Sequence, residues 1–393
     1  MRRLLRISID MFLATLAHLL GWFLVGLLID KELINMTLLT YPLWFIICAI
    51  NCICGTGANI SSIRDKNKDS VFSGFILGSI TGLILLIAIL LRVDDYILFM
   101  NMNPSTYRIF AIYAIIILYL RLILKMILSK LYYSNDTKRA NRYSFLFCLI
   151  SVSTLVFMSL FTKDQMIIIL TSLIPTIVFI VIASLRVIPK GHFKIHLGKC
   201  IKYDSVYLFG ELSMFIVYLF GLKNSFNFGE QFILANSFVS TITETQLDMI
   251  GATKTAAQVD ITKNEFSYKE HIKNSNKLSA ILVFTSIIMG MILYPLYKVT
   301  IVFTLVLLAI KLFHLVLYPI YSSKITFIQL EQNAVEPTIA KQIANVFRIA
   351  SSFIPTPYCV GIGIVITTIY HLVYTHISVK VHKLNLEMKK TQT

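Results

Sequence analysis

Residues 203–222 read YDSVYLFGELSMFIVYLFGL. A helix of that length, rising about 1.5 Å per residue, crosses the roughly 30 Å hydrocarbon core of a bilayer. One carboxylate, Glu211, stands near its middle. An ionisable group at that depth costs roughly 2.5–3.5 kcal/mol on insertion and marks function by default. Working outward, windows of the same kind recur at about 8–30, 36–58, 70–92, 108–130, 143–162 and 165–186 before it. They recur at 229–256, 278–297, 299–322, 338–356 and 358–379 after it. The break between the last two falls around Pro355 and Pro357. The sequence therefore predicts an all-α polytopic membrane protein of about twelve transmembrane helices.

Composition agrees. Of 393 residues, 56% are hydrophobic and only 14% are charged, with a mean hydropathy of +0.75. A soluble domain carries about 25% charge. Disordered and collagen-like classes are excluded by 16 Gly and 9 Pro, and disulfide-stapled ones by six scattered cysteines. Cys48, Cys52, Cys54, Cys148, Cys200 and Cys359 lie mostly in apolar runs and read as small buried residues. No Walker loop, dinucleotide-binding turn, HExxH or GxSxG is present. The reading is of a non-enzyme without a cofactor.

The net charge of +16 sorts by side. With the N-terminus inside, about 25 Lys and Arg fall on the cytoplasmic side and about 6 on the other. Arg64, Lys66 and Lys68 follow span 2; Lys138, Arg139 and Arg142 follow span 4; Lys263, Lys269 and Lys273 follow span 8. This asymmetry predicts a multi-pass protein of the plasma or inner membrane with both termini cytoplasmic. It leaves no call for nucleic acid as a partner. The expected partners are the lipid bilayer and a small molecule, and the chain is expected to act as a monomer. Residues 1–190 form the first six-helix lobe, 191–202 a cytoplasmic linker, and 203–393 a second six-helix lobe with a short basic tail. A weak internal repeat, offset by about 197 residues, supports the halving. Span 2 ends in Cys-Gly-Thr-Gly-Ala-Asn (54–59) and leads to Arg64-Asp65-Lys66-Asn67-Lys68-Asp69. Span 8 ends in Gly-Ala-Thr-Lys-Thr-Ala (251–256) and leads to Asp260-Ile261-Thr262-Lys263-Asn264-Glu265.

Polar residues inside the spans are the candidate site. At helical spacing Asp204, Tyr207, Met214 and Tyr218 share the face of Glu211. That set suits a cation or proton, or an organic cation on the aromatic faces; the alternative is a bond from Glu211 to a neighbouring helix. Span 8 carries Asn236, Ser240, Thr243, Glu244, Asp248, Gly251 and Thr255 on one face. Two carboxylates one turn apart share a cation or hold a proton between them; the alternative is the wall of a water-filled vestibule. In span 2, Asn51 reads as cavity lining, and Gly55 and Gly57 as a close packing seam. Arg121, Lys125, Lys254, Lys311 and Arg348 are intramembrane cations and favour an anionic substrate if they face a cavity. His192 and His196 read as a solvated face of the linker.

The layout resembles the multidrug and toxic compound extrusion (MATE) transporters. The resemblance rests on Phe209-Gly210-Glu211-Leu212-Ser213-Met214-Phe215, on Phe228-Gly229-Glu230-Gln231-Phe232-Ile233-Leu234-Ala235-Asn236, on Gly251-Ala252, and on Gly26 and 55–69 in the first half. It implies two six-helix lobes and export of small organic compounds, cationic ones first, by Na+ or H+ antiport through alternating access. Glu211 matches the family's carboxylate in span 7; from the polar face of span 8, Glu244 or Asp248 is expected to bind the cation with it. Tyr207, Tyr218, Asn236 and Asn51 are the expected substrate-lining residues. The family's acid in span 1 falls near Gly21, where this chain has none. Flippases for lipid-linked polysaccharide, in the same superfamily, are the alternative; they account for Arg121, Lys254, Lys311 and Arg348 as contacts for phosphate.

Overall fold

A computed structural model describes residues 2–382 and 384, apart from 195, 298 and 333. All of its long elements are helices. In chain order they are α1 (Arg2–Leu28), α2 (Met36–Asn51), α3 (Ala58–Arg64), α4 (Ser70–Leu90), α5 (Val93–Phe99), α6 (Pro104–Tyr133), α7 (Thr137–Phe161), α8 (Gln165–Val187), α9 (Leu197–Phe226), α10 (Glu230–Thr262), α11 (Tyr268–Tyr297), α12 (Ile301–Glu331), α13 (Val335–Ser352) and α14 (Cys359–Val381). Each of the twelve expected spans holds one long helix, counting α2 and α3 together. Among the described residues nine are long and apolar enough to cross a membrane. Outside that set are α10 and α13, which carry charged and amide side chains, and α1, where the side chains of 14–20 are not described.

Local chemistry sets the helix ends. Asn103 caps α6 by accepting from the Ser105 amide at 3.1 Å, with Pro104 at the first helical position, where its missing N–H costs nothing. Asp164 caps α8 through the amides of Met166 and Ile167 at 2.9 and 3.3 Å. Asn101, Asn135 and Asn264 sit just beyond helix ends at φ of 56°, 63° and 58°, a left-handed conformation asparagine tolerates. Gly229 opens α10 at φ 101°, which a side chain would strain.

The chain divides into two compact units, Leu13–Phe215 and Met1–Phe12 with Ile216–Thr393. In the first, α6 is the central helix, 78% buried over its apolar window, and α4 is peripheral at 22%. The packing reading of the glycines holds. A methyl on Gly57 would run into the Cys200 carbonyl, and one on Gly74 would meet the Cys54 carbonyl at 2.5 Å. These small residues let α9 and α4 close on a π-helical turn, Cys52–Gly57, that joins α2 to α3. In the second unit, α10 packs on α12 through Ala235, Phe238, Val239, Ile242, Phe303 and Leu307, all buried. Outward faces of both units are apolar: Ile84 and Leu185 in one, Met291 and Val302 in the other, are 64%, 79%, 72% and 70% exposed. Apolar faces of this extent suit lipid.

The repeated acidic turn does the same work in each unit. Asp65 accepts from Tyr203 Oη at 2.8 Å and lies 3.6 Å from Lys199 Nζ, which ties it to the start of α9. Asp260 and Glu265 both bind Arg3, at the start of α1. The connection from α8 to α9 is non-helical from 188 to 196 except at the undescribed 195, and it is pinned to the start of α4. The His192 amide donates to Asp69 Oδ1 at 3.2 Å and the Lys194 amide to Ser73 Oγ at 2.7 Å. The side chains of His192 and His196 are exposed, as a solvated face requires.

Candidate functional site

In the unit Leu13–Phe215, basic groups gather where α2 meets α6. Arg121 and Lys125 lie one turn apart on α6. Both stand over the indole of Trp44, with Cζ and Nζ at 5.1 and 4.2 Å from the ring centroid. The ring face offers the negative side of its quadrupole to both cations. Lys125 Nζ also donates to Cys48 Sγ at 3.3 Å. Just beyond, Asn51 precedes the π-helical turn. Its Oδ1 is buried and accepts no hydrogen bond among the described residues, and the missing Cβ of Gly55 leaves it room.

The start of α9 belongs to the same unit. Asp204 departs from helical geometry at φ −134° and ψ 22°, so α9 is kinked there. The expected continuous face from Asp204 to Tyr218 is therefore broken at its first member. A window based on helical spacing assumes uniform φ/ψ and does not register such a kink. Asp204 and Tyr207 are buried. Glu211 is half-buried and has no hydrogen-bond or ion-pair partner among the described residues.

In the other unit a polar interior runs between α12, α13 and α14. Lys311, 8% exposed, donates to the Tyr218 hydroxyl at 2.9 Å. Arg348, 5% exposed, donates through Nε and Nη2 to Thr367 Oγ1 at 3.2 and 2.6 Å. His314 Nδ1 lies 2.8 Å from Thr368 Oγ1. His371 Nδ1 donates to the Thr367 carbonyl at 2.5 Å, and its Nε2 is buried with no partner among the described residues. The Tyr321 ring stacks on His371 with centroids 5.2 Å apart. No Asp or Glu occurs from 301 to 330 or from 337 to 381; at the start of α13 the Glu336 carboxylate meets Tyr374, Ser378 and His382. On α10, the Asn236 amide donates to the Phe232 carbonyl of its own helix at 3.0 Å, and Asp248 is half-buried. The side chain of Glu244 lies outside the described residues.

The seven expected site residues thus fall in both units: Asn51, Tyr207 and Glu211 in one, Tyr218, Asn236, Glu244 and Asp248 in the other. Among the described residues no cluster of His, Cys, Asp and Glu has the arrangement of a metal site. His314 and His371 were not among the expected residues. Their signal is nevertheless periodic: Lys311, His314, Tyr318 and Tyr321 on α12, and Gly363, Thr367, His371 and Thr375 on α14, recur at three- and four-residue steps.

No protein-family model matches the sequence, and no curated protein matches it. Solved structures do. A MATE transporter in complex with MaD5 superposes with a TM-score of 0.68 at 16% identity, over 97% of this chain and 96% of that one. The outward-facing conformation of a multidrug resistance MATE family transporter of the MOP superfamily gives 0.64 at 16% identity, with the same coverage. An inward-facing conformation of such a transporter gives 0.59 at 17% identity, over 100% of both chains. The chain has the MATE transporter fold.

Proposed function

We propose that the chain is a secondary active transporter of the MATE kind. It exports small organic compounds, cations first among them, by Na+ or H+ antiport through alternating access. The observation that carries this reading is the transporter fold along 97% of the chain. Glu211 is the coupling group: a half-buried carboxylate in a membrane-spanning helix with no partner among the described residues is free to take a proton or a cation. Glu244 and Asp248 complete the cation set, and Asn51, Tyr207, Tyr218 and Asn236 line the substrate path. The protein works as a monomer in the cell membrane, with lobes 1–190 and 203–393 and both termini in the cytoplasm. No cofactor is needed beyond the coupling ion.

Flipping of a lipid-linked, phosphate-bearing glycan is the second reading. It is favoured by the buried Arg121, Lys311 and Arg348, since buried bases repel organic cations and attract phosphate. Proteoliposomes separate the two. A fluorescent organic cation and a fluorescent lipid-linked anion are followed in parallel, each under imposed Na+ or H+ gradients. Gradient-driven movement of the cation alone supports antiport of cations; movement of the anion alone replaces it with the flippase reading.

A further inference from the structure

The connection from α8 to α9 is a strap held in place by its main chain. The amides of His192 and Lys194 donate to Asp69 Oδ1 and Ser73 Oγ. The carbonyls of the same two residues accept from Ser73 Oγ at 3.2 Å and Asn67 Nδ2 at 3.4 Å. Gly191 lets the strap lie close to the start of α4, where a Cβ would meet Asp69 Oδ1 at 2.8 Å and Phe72 Cβ at 3.4 Å. Main-chain groups make these bonds, so the side chains are left outside. Lys190, Phe193 and Lys194 are exposed, Phe193 at 61%.

The charge of this surface is one-sided. From 165 to 203 the sequence has no Asp or Glu. Arg186 stands in the last turn of α8, and Lys190 and Lys194 follow on the strap. None of these three side chains has a hydrogen-bond or ion-pair partner among the described residues. The turn to which the strap is tied adds exposed Lys66 and Lys68. Its two acids are engaged by the protein itself, Asp65 by Tyr203 and Lys199, and Asp69 by the His192 amide. Charge sorting on insertion explains which side of the membrane such residues occupy. It does not require that they be fixed in a row. The dipole of α8 accounts for Arg186 alone.

The strap also starts at the edge of a lipid-facing surface. Within one turn of Arg186, Ile182 and Leu185 are 44% and 79% exposed. Phe193 then sets an exposed ring between two basic residues, His192 and Lys194. A soluble polyanion gains nothing from Leu185 or Phe193. A phospholipid with net negative charge gains from both parts, its phosphate from the cations and its chains from the apolar side chains beside them.

The geometry points to a docking strip for anionic phospholipids along residues 186–194, with Arg186, Lys190 and Lys194 holding the headgroup phosphate and Phe193 set at headgroup level. The strip requires only that the chain spans a membrane. It is independent of the substrate and of ion coupling at Glu211, so failure of either leaves the other standing.

The full-length protein is reconstituted in nanodiscs of phosphatidylglycerol and phosphatidylcholine in equal amounts, and the lipids it retains are counted by native mass spectrometry. One basic side chain at an anionic surface favours the anionic lipid about fivefold. The wild type is therefore expected to retain phosphatidylglycerol over phosphatidylcholine by at least about fivefold. Replacing Arg186, Lys190 and Lys194 together by Gln should lower that ratio at least about threefold. The charge-conserving set Arg186→Lys, Lys190→Arg and Lys194→Arg should keep it, which separates loss of charge from loss of fold. Lys269→Gln, Lys273→Gln and Lys277→Gln, an equal change in net charge at the start of α11, should leave the ratio as in the wild type. Equal retention of the two lipids by the wild type, an unchanged ratio in the strap Gln variant, loss of preference in the charge-conserving set, or an equal drop in the α11 variant each overturn the assignment.

Discussion

The Lys311–Tyr218 contact offers a clean perturbation. The ammonium is 8% exposed and donates to the phenol at 2.9 Å, and it also lies 5.4 Å from the centre of the same ring. Tyr218→Phe removes the hydroxyl and keeps the ring; the ammonium lies beyond the hydroxyl, near the ring plane, so the hydrogen bond is the contact that is lost. A hydrogen bond to a charged group contributes about 1.5–3 kcal/mol net, whereas neutral interhelical bonds in membranes average nearer 0.6. Burial of the lysine places this bond in the upper class, and a loss of about 1.5–2 kcal/mol is expected. Lys311→Met removes the buried charge along with its partner bond and should cost less than breaking the pair from the tyrosine side. The assay is reversible unfolding in mixed micelles titrated with SDS, run as a double-mutant cycle. In the Lys311→Met background, Tyr218→Phe should cost no more than about 0.5 kcal/mol. Additive effects, or a single-mutant cost below about 0.5 kcal/mol, would refute the claim that the hydroxyl satisfies the lysine.

Gly57→Ala should destabilise the unit Leu13–Phe215 by about 1–3 kcal/mol, because the obstacle is the Cys200 backbone and not a side chain that can swing away; the same micelle unfolding measures it. Arg348→Lys should cost about 1–2 kcal/mol, since an ammonium cannot reproduce the two bonds the guanidinium sends to Thr367 Oγ1. Thr367→Val should give a loss of similar size and little more in combination. A cysteine placed at the exposed Phe193 in a cysteine-free background should react with a membrane-impermeant maleimide only in inside-out vesicles, and one placed at Lys163 only in right-side-out vesicles.

Hydropathy made the architecture legible because insertion depends on the mean over about 20 residues, and that mean is insensitive to detail. The break at Pro355 and Pro357 is an example. Both prolines fall between the end of α13 at Ser352 and the start of α14 at Cys359, where neither costs a helix hydrogen bond. The kink at Asp204 and the π-helical turn at Cys52–Gly57 left no such trace. The second depends on a tertiary contact, the approach of Cys200 to Gly57. The acidic turns after spans 2 and 8 were visible as a repeat, but their partners, Tyr203 and Lys199 for one and Arg3 for the other, are more than 130 and 250 residues away. The site was legible by type and not by partner. Intramembrane charges could be picked out one by one, while Lys311 on Tyr218, Arg348 on Thr367 and Arg121 on Trp44 are tertiary pairings.

Ion coupling at Glu211 is tested most directly by substrate movement in proteoliposomes under an imposed Na+ or H+ gradient, comparing the wild type with Glu211→Gln. The amide keeps size and hydrogen-bonding capacity and removes the charge. Gradient-driven movement is expected in the wild type and none in Glu211→Gln, with equal reconstitution and unchanged substrate binding. Gradient-driven transport by Glu211→Gln at the wild-type rate would contradict it.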